Sequence, residues 1–289
     1  MSAPPVRWNT PTRPQPVGDA QVADAPGAVL LYTAPTRFGL RLLALGLAGW
    51  VFGLPLLLLG MASVAGQWNG LLPSHLTLEH LRNAIWGDQT LALGHSLATG
   101  VLATAFAVLL GAWGALAARQ APPGVQRLVD ALYLLPIAIP SVSIGLALLV
   151  AFSRQPLLLN GTIAMVVLAH AVLVTAYAYA SAKAGLTRMP AGLEEMAGSL
   201  GATPRLVLLR ITLPLLRPHL LAAAALGFSL SMGELGATIM LYPPQWVTAP
   251  VDVFALTDRG AVFSGAAVSV LLLGCTFGAL LLLNRARRT

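Results

Sequence analysis

The sequence predicts an all-α membrane protein of about six transmembrane helices, and three observations predict it. Hydrophobic residues make up 57% of the 289 and charged residues only 9%, whereas a soluble domain carries about 25% charged side chains. The apolar residues gather into long runs, and about 20 residues at a rise of about 1.5 Å each are enough to cross a hydrocarbon core. The 17 Lys and Arg residues lie mostly at the ends of those runs and in the connections between them.

The elements follow in order. Residues 1–36 are rich in proline (Pro4, Pro5, Pro11, Pro14, Pro16, Pro26, Pro35) and lack a helical period. They read as a disordered tail on the cytoplasmic side, since a cleaved signal peptide would place its apolar stretch nearer the start. Residues 37–289 form the membrane domain, with spans expected at about 38–64, 91–118, 129–152, 162–184, 218–241 and 261–283. Between the first two spans the pattern Leu76, Leu78, Leu81, Ile85 predicts a short amphipathic segment. Pro136 and Pro140 interrupt the third span four residues apart. Each removes a backbone donor, which predicts either a kink beside a solute pathway or a static packing kink.

Charge sets the expected orientation. If the N-terminus is cytoplasmic, fourteen of the basic residues fall on that side, and only Arg82, Arg154 and Arg259 fall on the other. Positive residues favour the cytoplasmic side, so both termini are expected there, in agreement with an even number of spans. The same bias explains the net charge of +7 and removes the need for a nucleic-acid partner.

The connection between the fourth and fifth spans is long and patterned. Leu193, Met196, Ala197 and Leu200 fall at helical spacing on one face, a single apolar stripe. Pro190 suits a first helical turn, Glu194 and Glu195 suit the positive end of a helix, and Gly201 suits its stop. Thr203 and Pro204 then predict the cap and first residue of another helix, ended by Leu213 and Pro214. The apolar stripe fits either the lipid headgroup layer or a groove on a soluble partner, and physical chemistry alone leaves both open.

Glu195, Met196, Ala197, Gly201, Ile211, Leu213 and Pro214 match the pattern Glu-Ala-Ala, three residues, Gly, nine residues, Ile, one residue, Leu-Pro, with Met196 in place of the second residue. This segment resembles the signature loop of permease subunits of binding-protein-dependent ATP-binding cassette importers, and the span layout extends the resemblance to about residues 38–284. The resemblance implies a cytoplasmic coupling helix that docks into an ATPase dimer, with Glu194, Glu195, Met196, Ala197, Leu200 and Gly201 as candidate docking residues. It also implies a second permease subunit, identical or homologous, a periplasmic solute-binding protein, and a bacterial inner-membrane location.

In the fifth span, Glu234 lies within Ser231-Met232-Gly233-Glu234-Leu235-Gly236-Ala237-Thr238. An acidic side chain at membrane depth faces a pathway or a polar partner, so Glu234, Ser231 and Thr238, with Pro136 and Pro140, are candidates for the pathway or its gate. A purely structural carboxyl is the alternative. Gly233 and Gly236 are expected to permit close helix approach. The Gly-Glu-Leu-Gly-Ala run resembles importers of small solutes such as sulfate, molybdate, ferric ion and thiamine. The segments Tyr242–Thr248 and Phe254–Gly260 resemble permeases of 2-aminoethylphosphonate importers more.

No enzyme activity is expected of the chain itself. His75, His80, His95, His170 and His219 lack metal-ligand spacing, Cys275 is single, and no Gly-rich phosphate loop with a lysine is present. No cofactor is therefore expected, and ATP would be used by the partner ATPase. The rival reading is an ATPase-independent secondary transporter, for which the inverted repeats such proteins often carry are not evident.

Overall fold

The computed structural model describes residues 34–190 and 192–288. The proline-rich tail expected over 1–36 lies almost wholly outside them. The chain divides into two compact units, Met1–Leu54 and Pro55–Thr289. The described part of the first is an apolar helical stretch that contains a π-helical turn, Gly49–Gly53. Its large side chains, Leu43, Leu45, Trp50 and Phe52 among them, are exposed.

Among the described residues, five helices are long and apolar enough to cross a membrane, or six if one bent pair is a single span. In chain order the helices are α1 (Phe38–Ser63), α2 (Glu79–Trp86), α3 (Gln89–Arg119), α4 (Pro123–Ala138), α5 (Ser141–Ala151) and α6 (Ile163–Thr187). They continue with α7 (Leu193–Ser199), α8 (Pro204–Met232), α9 (Thr238–Leu241), α10 (Ala249–Asp258) and α11 (Val262–Arg288). A small antiparallel hairpin, Ala65–Gln67 with Ser74–Leu76, precedes α2 in register Ala65 to Leu76. The sequence pattern predicts no strand there.

The centre of the second unit is α3 against α6. Their contact is built from small side chains: Ala103, Ala107, Ala112, Ala115 and Ala118 on α3, and Ala171, Ala178 and Ala182 on α6, are all buried. Between apolar helices in lipid there is little hydrophobic drive to associate, so close backbone approach and dispersion must hold the pair. Gly111 shows how close that approach is. A Cβ placed there would lie 2.6 Å from the Tyr179 nitrogen.

Two expected spans take a different form, each for a backbone reason. The third is a pair of helices, α4 and α5, bent by 111° at Ile139 and Pro140. The residue before a proline is driven out of the helical region, and both Ile139 and Pro140 are extended, at ψ 131° and 136°. Pro140 thus starts a new helix, whereas Pro136 is carried inside α4.

The fifth span was expected at 218–241, but its helix runs over Pro204–Met232 and stops at Gly233. Leu213 and Pro214 do not end a preceding helix. The chain instead widens into a π-turn over Leu208–Thr212, where the Leu213 N–H bonds the Leu208 carbonyl five residues back. A proline ring clashes with the carbonyl four residues before it. For Pro214 that residue is Arg210, inside the widened turn, so the helix continues.

Candidate functional site

The candidate residues fall into two groups, one on the connection around α7 and one where α5, α6 and α8 meet.

At α7 the chain forms a short, sharply bounded helix. Gly192 precedes it at φ +80°, and Pro190 stands before the helix rather than in its first turn. The far end is a Schellman closure: the Gly201 N–H bonds the Gly198 carbonyl at 2.9 Å and the Ala202 N–H bonds the Ala197 carbonyl at 3.0 Å. Gly201 takes φ +87° to allow it, a conformation that suits glycine. Thr203 then caps α8, its Oγ1 accepting the Leu206 N–H at 3.3 Å, and Pro204 follows at the first position.

The side chains of α7 divide by direction. Glu195 is exposed, Met196 is 63% exposed and Leu200 is 89% exposed. Ala197 is half-buried, and no residue of α7 is fully buried. Glu194 instead turns toward the spans. Its Oε1 accepts from Arg119 Nη1 at 3.0 Å and from Thr212 Oγ1 at 2.7 Å. Arg119 is the last residue of α3, and Thr212 is a buried residue of the π-turn in α8. The Thr212 hydroxyl, followed by the Arg119 guanidinium, holds the Glu194 carboxyl below the usual carboxylate range, against an opposing effect of burial.

The second group surrounds a cavity of about 200 Å³ lined by Pro136, Ser141, His170, Tyr177, Ser231 and Glu234, with apolar neighbours. Two helix interruptions meet beside it. The 233–237 segment between α8 and α9 packs on the start of α5. A Cβ on Gly236 would strike Ser141 Oγ and lie 3.0 Å from Val142 Cγ2, and one on Gly145 would lie 2.8 Å from the Ala237 carbonyl oxygen. Irregular backbone within a membrane survives where it is buried in protein or lines a water-filled cavity, and this pair of interruptions packs on protein and borders the cavity.

The break is held by side chains. Glu234 Oε1 accepts the Ala237 N–H at 2.8 Å. His170, 2% exposed, reaches Ser231 Oγ with Nδ1 at 2.6 Å and Thr238 Oγ1 with Nε2 at 2.7 Å. Thr238 Oγ1 donates its single proton to the Glu234 carbonyl at 3.2 Å. For a neutral imidazole, Thr238 then accepts from Nε2–H and Nδ1 accepts from Ser231. His170 thus spans the break from the last turn of α8 to the first residue of α9.

The structure brings Glu234, Ser231 and Pro136 to the cavity and joins Thr238 to them through His170. Pro140 stands outside the lining and contributes by ending α4. Sequence reasoning set His170 aside for want of a metal partner. Its position inside an apolar run was the usable signal, because intramembrane ionisable groups are costly. Arg119 and Thr212 carried no such signal.

A third arrangement fixes the 242–248 loop. Trp246 stacks on His95 with ring centroids 4.0 Å apart and donates from Nε1 to Thr99 Oγ1 at 3.0 Å. Ser96 Oγ accepts the Ala249 N–H at 2.7 Å. One face of α3 therefore grips the loop and the start of α10. On α10, Asp252 has one carboxylate oxygen, Oδ2, buried with no partner, and burial raises its pKa above the usual range.

Long helices with exposed apolar faces, and polar groups collected at two facing interruptions, define a multi-pass membrane protein. The chain belongs to the family of binding-protein-dependent transport system inner membrane components, whose family model matches residues 111–289. It is 49% identical over 234 residues to a Salmonella typhimurium strain LT2 protein with the provisional name 2-aminoethylphosphonate transport system permease protein PhnV, covering 81% of this chain and 88% of that protein. It is 34% identical over 213 residues to the molybdenum transport system permease protein ModB of Mycobacterium tuberculosis, covering 68% and 79%. Among solved structures, a bacterial ABC transporter involved in import of the acidic polysaccharide alginate superposes with TM-score 0.69 at 17% identity, covering 87% of this chain and 94% of that one. The MetNI methionine ABC transporter superposes with TM-score 0.59 at 18% identity, covering 71% and 96%. At these identities the superpositions speak for the fold.

Proposed function

We propose that the chain is the permease subunit of an ATP-driven importer of 2-aminoethylphosphonate. The observation that carries this reading is the 49% identity, over 81% of the chain, to a protein named for that solute. In this reading two permease subunits form the path, and a periplasmic solute-binding protein delivers the solute. A cytoplasmic ATPase dimer hydrolyses ATP, and this chain binds no nucleotide or cofactor. Both termini lie in the cytoplasm of a bacterial inner membrane, with lipid around the exposed apolar helices.

The exposed side of α7 supplies the ATPase contact through Glu195, Met196, Ala197, Leu200 and Gly201. Exposed apolar side chains on a helix outside the bilayer need a covering surface, and a groove on a soluble partner provides one. The cavity bordered by Glu234, Ser231 and Pro136 lies on the solute path, and Glu234 and Thr238 set the geometry of the break beside it.

The test is expression of the chain with a candidate ATPase and a candidate solute-binding protein from the same genome, in cells that cannot take up phosphonates. Labelled 2-aminoethylphosphonate should enter when all three are present and should fail to enter when any one is omitted. Uptake of molybdate but not of the aminophosphonate would refute the solute assignment. Uptake that persists without the ATPase would refute the importer class and favour a secondary transporter.

A further inference from the structure

We infer that Glu194 is a positioning residue that transmits movement of α7 into two spans, and that it is not part of the surface that grips the ATPase. The inference rests on the reading that an ATPase drives this chain, and it assigns a distinct task to one residue of the α7 segment.

Little else ties α7 down. The helix has seven residues and none is fully buried, and Met196 on it and Leu200 just after it are exposed. A helix this short is not stable by itself. It is continuous with its neighbours only through Gly192 and Gly201, both at positive φ. Such positions are natural pivots, so backbone continuity would pass on a push poorly.

The carboxylate of Glu194 supplies what the backbone lacks. A single oxygen takes a charge-assisted bond from Arg119 and a bond from Thr212, the stronger class of hydrogen bond. The two donors belong to different spans: Arg119 ends α3, and Thr212 lies in the π-turn inside α8. A displacement of α7 is therefore delivered to α3 and α8 together.

Thr212 gives the link its direction. From Leu213, the residue after Thr212, to Met232 the chain is α-helix, a rod of about 30 Å at about 1.5 Å per residue. Ser231, in the last turn of that rod, is held by His170 at the edge of the cavity, and the break of 233–237 follows. A pull on Thr212 thus arrives at the interruption beside the cavity. The π-turn that presents Thr212 is itself a feature often found at working positions of helices.

The experiment uses the full transporter, with the chain and its ATPase assembled in lipid vesicles and the solute-binding protein supplied on the opposite side from the ATPase, and reads 2-aminoethylphosphonate moved per ATP hydrolysed. Glu194→Ala should keep the ATPase bound while that ratio falls by about tenfold, within the usual range of coupling between sites. Exchanging the charges, with Arg119→Glu and Glu194→Arg together, should bring the ratio back to within about threefold of the parent. A role confined to folding would lower the amount of assembled protein and leave the ratio unchanged.

Three results overturn the inference: Glu194→Ala that sheds the ATPase, which would make Glu194 a docking residue; a ratio unchanged in Glu194→Ala; or an exchanged pair no better than the single variant. Failure of the importer reading is seen separately, because the unsubstituted chain would then hold no ATPase.

Discussion

His170 and Ser231 meet at 2.6 Å in a buried contact between α6 and the last turn of α8, and the proton count makes Ser231 the donor. Thr238 keeps a second bond, to the Glu234 carbonyl, whereas no other bond to the Ser231 hydroxyl is seen among the described residues. His170→Leu should therefore leave Ser231 as the orphan, at a cost of about 1–3 kcal/mol. Thermal unfolding of the purified protein should show the loss. Adding Ser231→Ala to that variant should recover most of it, and a double variant no more stable than His170→Leu would contradict the assignment.

The two glycines around Glu234 should behave differently. A Cβ at Gly236 meets Ser141 and Val142, whereas the nearest atom to one at Gly233 is 3.9 Å away. Gly236→Ala should destabilise by about 1–3 kcal/mol through overpacking and reduce transport. Gly233→Ala should stay within about 0.5 kcal/mol of the parent. Comparing the two melting temperatures checks this, and equal shifts would count against the close packing of the break on α5.

A side chain in place of Gly201 would be strained by backbone conformation alone, since nothing lies within 4 Å of a Cβ placed there while φ is +87°. Gly201→Ala should cost about 1–2 kcal/mol locally, and Gly201→Asn should cost less because Asn tolerates this region. The readout is the amount of ATPase that co-purifies. It should fall in the order Gly, Asn, Ala, Val if the turn presents the docking face, and no trend would remove Gly201 from that role.

Asp252 should oppose stability at neutral pH. Burial raises its folded pKa above the unfolded value, which is about 3.9 for an ordinary Asp. A carboxyl of this kind penalises the fold once pH rises through the folded pKa, and the penalty vanishes below the unfolded value. Asp252→Asn should therefore raise the melting temperature at pH 7, and the gain should shrink as the medium is acidified toward pH 4. A gain independent of pH would mean that charge is not the cause.

Much of the fold was legible in the sequence, because spanning a membrane imposes a one-dimensional requirement. The expected second, fourth and sixth spans lie within a few residues of α3, α6 and α11. Caps were equally legible: Thr203, Pro204 and Gly201 do what their chemistry implies because each acts on its own backbone. The errors came at prolines. Pro136, Pro140, Pro214 and Pro218 look alike in a sequence. Two are carried inside helices, Pro214 follows a widened turn at the start of its helical segment, and Pro140 divides a span at 111°. The difference lies in whether neighbouring turns can absorb the missing donor.

By itself the sequence determined the class of molecule and where most of the membrane-length helices lie. These follow from hydrophobic length, charge placement and local backbone chemistry, all of which act over a few residues. Only the tertiary structure decided that Glu194 faces the spans while Glu195 faces outward, and that Glu234 sits at a break held by His170. Those outcomes depend on hydrogen bonds between residues 18 to 75 positions apart. No local pattern encodes such partners, because they are brought together by the packing of helices whose own sequences do not name their neighbours.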